Sequence, residues 1–270
     1  MSQLDQSVRA GFEGGTVVAN QKGGVGKTTT TINLATGLAA IERRVLVLDL
    51  DPQGNASTGL GIQPSQRTQT MYDVLMGVAT IGQAALKTEV PGLSIVPSDI
   101  HLTGAELELV DKPDRAFRLR AALETVFAEY EELLIDCPPS LGLLTLNAMT
   151  AVNNLLIPMQ CEFFALEGLS QLMSTVQRVR ENFNPGLQIQ GLVLTMYDQR
   201  NRLSKEVEED VRAHFGSKVY DTVIPRNVRV SEAPSHGKPI LLYDHRSSGA
   251  RAYMRLVNEF RKQDGGGVKL

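Results

Sequence analysis

Lys22-Gly23-Gly24-Val25-Gly26-Lys27-Thr28-Thr29 is the segment of this chain with the densest potential chemistry. Its glycines let the backbone curl so that several N–H groups face one point, a shape suited to phosphate oxygens. A helix starting at the end of the loop adds the positive end of its dipole. In such a loop the segment from Gly23, Gly24, Val25 and Gly26 to Thr29 surrounds the phosphates. Lys27 reaches the β- and γ-phosphates, and the Thr28 hydroxyl offers a ligand to Mg2+. The spacing departs from the common Gly-x-x-x-x-Gly-Lys-Ser/Thr pattern, because Gln21 stands where the first glycine belongs. An extra lysine, Lys22, opens the loop instead. Two cations this close need anions for both. Lys22 either bends back to its own loop or reaches a nucleotide on another subunit.

Two further segments carry carboxylates suited to the same chemistry. Asp49-Leu50-Asp51-Pro52-Gln53-Gly54-Asn55 follows an apolar run, and alternation puts Asp49 and Asp51 on one side if the strand runs on. One can orient an attacking water and the other can help hold a metal shell. Leu133-Leu134-Ile135-Asp136 is an apolar strand ending in Asp, the Walker B arrangement, in which Asp136 holds Mg2+, largely through water. Cys137, next to it, reads as a small buried hydrophobe.

The elements that must position these groups follow from the apolar runs. Strands are expected at Thr16–Ala19, Val45–Asp49, Leu93–Val96, Leu133–Asp136, Asn154–Pro158 and Ile189–Thr195, with a weaker one at Lys218–Ile224. Helices are expected at Thr28–Ala40, Arg115–Ala128, Leu166–Asn182, Ser204–Phe215 and Ser248–Lys262. Apolar runs that do not alternate suggest strands covered on both faces. Their alternation with helices predicts a single α/β P-loop NTPase domain, a mostly parallel twisted sheet with helices on both faces. This domain is expected over residues 16–264, between a flexible N-terminal segment (1–15) and a flexible tail (265–270).

Composition narrows the class. The 270 residues are 42% hydrophobic and 21% charged, which excludes a disordered or fibrous chain. Two cysteines, Cys137 and Cys161, make neither a disulfide framework nor a four-thiolate metal site within one chain. The four histidines show no metal-ligand spacing. No apolar run reaches membrane-spanning length, and Met1 to Gly15 lacks the apolar core of a signal peptide, so a cytoplasmic location is expected. A net charge of −3 does not by itself suggest a nucleic-acid partner.

Lys-Gly-Gly-Val-Gly-Lys-Thr resembles the deviant Walker A motif of the ParA/MinD group of ATPases. The resemblance extends over roughly Thr16 to Phe260 and is strongest to the chromosomal ParA branch, often called Soj. It is carried by Asp49 to Asn55, Asp136 to Ser140, Leu166-Glu167-Gly168, Thr195 to Asp198, Val223 to Arg229 and Ser231 to Pro239. It implies an ATP/ADP- and Mg2+-dependent ATPase with slow basal turnover that forms an ATP-bound sandwich homodimer. Lys22 would cross to the partner's nucleotide, and Asp51 would position water with Asp49 as its supporting neighbour. Pro225 and Asn227 would lie near the adenine. It further implies non-specific binding of the dimer to double-stranded DNA, hence nucleoid association, and release when a ParB-type centromere-binding protein stimulates hydrolysis. Iron–sulfur relatives exist in the superfamily, but neither cysteine matches their pattern. The short stretch before Thr16 leaves no room for a helix-turn-helix domain, so no sequence-specific repression is expected.

Local charge bears on the DNA reading. Arg200, Arg202, Lys205, Arg212, Lys218, Arg226 and Arg229 fall within thirty residues, among five acidic residues. That balance alone describes a solvated helix face. Arg200, Arg202 and Arg229 lie in loops or at element ends and are freer to meet phosphates, and Arg200 and Arg229 match the DNA-contacting arginines of the Soj branch. The absence of tryptophan argues for backbone contact with a duplex rather than stacking on single strands. The rivals are a MinD-like membrane ATPase, a scaffold that uses ATP only as a switch, and an ATPase that positions other cargo. Membrane anchoring needs a basic amphipathic C-terminal helix. Tyr253, Met254, Leu256, Val257 and Phe260 form an apolar face there, but docking on the body is its expected use, so no membrane partner is expected.

Overall fold

Strand-forming residues that are apolar at every position need cover on both sides, and the architecture supplies it. The computed structural model describes residues 12–124 and 129–263. Among them the strands are β1 (Phe12–Val18), β2 (Val45–Asp49), β3 (Leu86–Lys87), β4 (Leu93–Val96), β5 (Glu132–Asp136), β6 (Val152–Gln160) and β7 (Gln188–Thr195). They form one sheet in the order β3-β4-β2-β5-β1-β6-β7, parallel throughout except for the edge strand β3. All five residues of β2 and all five of β5 are buried. Adjacent residues serve opposite faces: Val17 belongs to one apolar core and Val18 to the other.

The helices in chain order are α1 (Lys27–Ala40), α2 (Asn55–Gly59), α3 (Met71–Met76), α4 (Ile81–Ala84), α5 (Leu102–Glu108), α6 (Arg118–Leu123), α7 (Leu143–Ala151), α8 (Ala165–Asn182), α9 (Arg202–Phe215), α10 (Val228–Glu232), α11 (Ile240–Tyr243) and α12 (Ser248–Gln263). Helix α1 is buried along most of its length and packs on α12. At their closest, Gly37 leaves no room for a Cβ against Val257. The apolar face of α12, with Tyr253, Leu256, Val257 and Phe260 buried, is therefore covered by the body.

Strand order sets the site. The chain moves outward from β2 to β4, returns to insert β5 beside β1, and continues on the far side through β6 and β7. The crevice at such a reversal, outside the carboxyl ends of the strands, is where sheets of this kind bind ligands. Register brings the ends of β1, β2 and β5 together, with Val18 opposite Asp136 and Asp49 opposite Asp136.

Several boundaries differ from the expectation. Strand β1 begins at Phe12, in the segment read as loose; residues 1–11 and 264–270 lie outside the described residues. Helix α6 covers Arg118–Leu123 of the expected Arg115–Ala128, and residues 125–128 are likewise outside the description. No regular strand forms at Lys218–Ile224. This segment runs beside β7 through isolated bridges, Leu192 with Val219 and Tyr197 with Pro225. It bends between them because the Tyr220 ring packs over Gly191 and Thr222 bonds Glu259 of α12. The short helices α2 to α5, α7, α10 and α11 were not expected, because one or two turns carry too little periodicity to read.

Candidate active site

Gly24 and Gly26 adopt φ of 73° and 83°, the left-handed region that glycine enters at little cost. This curls the loop between β1 and α1 and lets Gly26 cap the helix. The loop forms one wall of a cavity of about 610 Å³, lined by Gly23, Gly24, Gly26, Lys27, Thr28, Thr29, Asp51, Pro52, Gln53, Asn55, Thr103, Pro139 and Met196. That volume falls within the range of small-molecule sites. A larger hollow between α7 and α8, of about 790 Å³, and a smaller one beside Phe117 and Phe183, of about 520 Å³, contain none of these groups.

Lys27 is buried, and its Nζ donates to the Lys22 carbonyl at 3.0 Å. Burial lowers its pKa, against the raising influence of Asp136 and Asp51. Thr28 Oγ1 donates to Asp136 Oδ2 at 2.7 Å, and Thr31 Oγ1 donates to Asp136 Oδ1 at 3.1 Å. Asp136 is fully buried; desolvation first, and then the charge of Asp49, raise its pKa well above the usual carboxylate range. Asp49 is held by Ser57, whose N–H and Oγ both donate to Oδ2, at 2.8 and 2.7 Å. Its Oδ1 accepts the Asp51 N–H at 3.2 Å. Burial pushes Asp49 up to about 6. Asp51 lies at the cavity wall, only 8% exposed, with Oδ1 accepting from the Gln53 N–H at 3.0 Å.

Such a buried acidic set suits a divalent cation. Among the described residues no three His, Cys, Asp or Glu side chains converge into a protein-only metal cage. Mg2+ does not need one, since it keeps several waters and takes phosphate oxygens with one or two protein ligands. The Thr28 hydroxyl beside the Asp136 carboxylate, with surplus negative charge behind it, fits that requirement.

The raised carboxylates also predict a pH dependence. An acid whose pKa is higher in the folded chain than in the unfolded one is unfavourable above the folded value, and that cost is lost as pH falls. Between about pH 7.5 and pH 5 the ligand-free protein should gain at least about 1 kcal/mol from Asp49 alone, or about 2–4 °C in thermal midpoint. A midpoint that stays flat or falls over that range contradicts this electrostatic picture.

The other sequence candidates are placed as follows. Lys22 does not line the cavity; its Nζ pairs with Glu162 beyond β6, both half-exposed. The next residues, Phe163 and Phe164, are 74% and 65% exposed. Asn227 caps α10 through its Oδ1 and donates from Nδ2 to Ser248 Oγ at 2.8 Å; Pro225 pairs with Tyr197, next to the cavity residue Met196. Arg200, Arg202 and Arg229 are exposed, and each pairs with a neighbouring acid: Asp198, Glu206 and Glu232. Arg226 N–H donates to the Tyr197 carbonyl at 3.1 Å, so the segments bearing Arg200 and Arg229 run side by side. Sequence reasoning missed Thr31, Ser57, Thr103 and Glu162. Thr31 had a signal, since it lies one helical turn beyond Thr28 on a face that meets Asp136; Ser57, Thr103 and Glu162 had none.

A parallel sheet whose central strand runs through a glycine loop into a buried helix, with Lys27, Thr28 and Asp136 at that junction, defines a P-loop nucleoside triphosphatase. The AAA domain family matches residues 16–189. The chain is 63% identical over 244 residues to the chromosome partitioning protein ParA of Caulobacter vibrioides, covering 90% of this chain and 91% of the relative. It is 54% identical over 242 residues to the sporulation initiation inhibitor protein Soj of Bacillus subtilis, covering 90% and 96%. The chain belongs to the ParA/Soj family of partitioning ATPases. Its fold is similar to a Mycobacterium smegmatis structure described as cobyrinic acid a,c-diamide synthase with bound ATP analog and magnesium. That match has 34% identity and a TM-score of 0.83 over 96% of this chain and 98% of that one. No helix among the described residues is long and apolar enough to cross a membrane.

Proposed function

We propose that this protein is an ATP-driven DNA-segregation switch. In this reading an ATP-bound sandwich dimer holds double-stranded DNA without sequence preference, and a ParB-type partner stimulates hydrolysis and releases it. The observation that carries the reading is one cavity shared by the glycine loop, Lys27, Thr28 and Asp51, with Asp136 bonded to Thr28. The relatives' names supply the partitioning role, and the solved M. smegmatis relative, with its ATP analog and magnesium, supplies the ligands.

The loop amides and Lys27 hold the phosphates, and Thr28 and Asp136 hold Mg2+, which when bound neutralises charge on the β- and γ-phosphates. Asp49 fixes the backbone of Asp51, and Asp51 orients the attacking water. Pro225 and Asn227 border the base. Lys22 lies outside its own phosphate site and completes the partner's. The exposed Phe163 and Phe164 beside its ion pair support an apolar contact at that face.

Arg200, Arg202 and Arg229 meet DNA phosphates. The arginines are exposed and their acidic partners at least partly so, and such surface pairs contribute at most about 1 kcal/mol, so phosphates displace them readily. A dimer doubles the number of such contacts and raises avidity, which couples ATP to DNA and places the ATP form on the nucleoid. Arg200→Ala with Arg229→Ala should weaken duplex binding at least about tenfold. It should also reduce the dependence of log affinity on log salt by about 2 for each protomer engaged. Titration of a fluorescent random-sequence duplex at several salt concentrations measures both; unchanged affinity and slope would remove these arginines from the DNA surface.

A further inference from the structure

The geometry points to Arg67 as a positioning residue for the wall that carries Asp51, an inference that rests on the proposed role of Asp51. Arg67 is half-buried between Pro64–Gln66 and α3, and among the described residues it makes no ion pair. Its guanidinium is spent on neutral acceptors. Nη1 donates to the Ser98 carbonyl at 3.0 Å and Nη2 to Thr58 Oγ1 at 2.8 Å. Nη2 and Nε both reach the Ile62 carbonyl, at 2.9 and 3.3 Å. A fork of this kind spans three acceptors at once, which a lysine ammonium does not reproduce.

These acceptors lie behind the nucleotide cavity, in segments continuous with residues that line it. Thr58 and Ile62 continue the wall formed by Asp51, Pro52, Gln53 and Asn55; Ser98 leads into α5, which supplies Thr103 to the other wall. Arg67 also lies against Gly54, the turn between Asp51 and α2. Gly54 has φ of 62°, and a Cβ there would strike the guanidinium and come within 2.8 Å of the Ser98 carbonyl.

From this clasp a continuous chain of hydrogen bonds leads to Asp51. Ser98 N–H donates to Ser57 Oγ at 3.1 Å, Ser57 Oγ donates to Asp49 at 2.7 Å, and Asp49 accepts the Asp51 N–H at 3.2 Å. Among the described residues the buried Ser98 hydroxyl has no partner, so its backbone bonds, one of them to Arg67, hold Ser98 in place. Arg67 thus ties the segment that carries Asp51 to the one that leads into α5 without lining the cavity itself.

The test compares wild-type protein, Arg67→Ala, Arg67→Lys, Asp51→Ala and the Arg67→Ala/Asp51→Ala double variant in single-turnover ATP hydrolysis, with a fluorescent ADP analogue reporting nucleotide affinity. Arg67→Ala should lower the single-turnover rate constant at least about tenfold while analogue affinity stays within about twofold. Arg67→Lys should fail to restore the rate. In the Asp51→Ala background, Arg67→Ala should cost no further rate, because it acts through Asp51. Turnover of Arg67→Ala within twofold of wild type, or an equal further loss on the Asp51→Ala background, would overturn the proposal. If Arg67→Ala does not fold, Arg67→Lys carries the same cycle. Asp51→Ala with full turnover would instead refute the role of Asp51, a result visible before any Arg67 variant is read.

Discussion

Asp51→Ala should lower ATP turnover at least about 100-fold and leave nucleotide affinity within about threefold. The carboxylate lines the same cavity as the glycine loop. Its Oδ1 accepts from Gln53 N–H, and its backbone is fixed by Asp49, while Oδ2 has no hydrogen-bond partner among the described residues. That leaves one oxygen of a pre-oriented carboxylate for water. Hydrolysis of a phosphoanhydride depends mainly on positioning and charge stabilisation, so if Asp51 orients the water, as proposed, its removal should fall on kcat. The phosphate contacts proposed for the loop and Lys27 would remain, so binding should survive. The variant should accumulate in the ATP form and remain on DNA. Phosphate release measured under saturating ATP checks this, and a rate within about threefold of wild type would remove Asp51 from the reaction.

Lys22→Ala should abolish ATP-dependent dimerisation while nucleotide binding falls less than about tenfold. Two observations separate these effects. The Lys22 carbonyl accepts from Lys27 Nζ at 3.0 Å, and alanine retains that carbonyl, so the cavity keeps its shape. The Lys22 side chain pairs with Glu162, and both side chains are partly exposed, at 39% and 45%. An ion pair this exposed contributes at most about 1 kcal/mol and exchanges readily for a phosphate on a partner. The resemblance to the ParA/MinD group is what assigns this lysine to the neighbour's site, and its exposed ion pair leaves it able to reach one. Sedimentation of the variant with ATP and Mg2+ checks this; dimers at the wild-type concentration would refute the role.

Much of the site was legible in the sequence because chemistry and local order coincide there. Gly24 and Gly26 take the positive φ that their residue type permits, and the order strand, loop, helix around Lys27 follows from short-range patterns. Asp136 could be placed at a strand end from Leu133-Leu134-Ile135 alone. Long-range pairing was not legible. Nothing in Ser57 announces that it holds Asp49, a contact made by the short helix α2, and nothing in Glu162 announces that it meets Lys22, a contact that depends on strand order. The Lys218–Ile224 segment read as a strand by its residue types, yet Tyr220 over Gly191 and Thr222 on Glu259 bend it out of regular pairing. Short helices such as α2 were invisible because a turn or two shows no period; α2 is nonetheless what places Ser57 on Asp49.

The most direct test of the switch is binding of the wild-type chain to a random-sequence DNA duplex at one fixed moderate salt concentration, with ATP, with ADP and without nucleotide. The account predicts tight binding with ATP alone, because only the dimer gathers enough arginines against the phosphates. Equal binding in all three states, or binding in none, would contradict it.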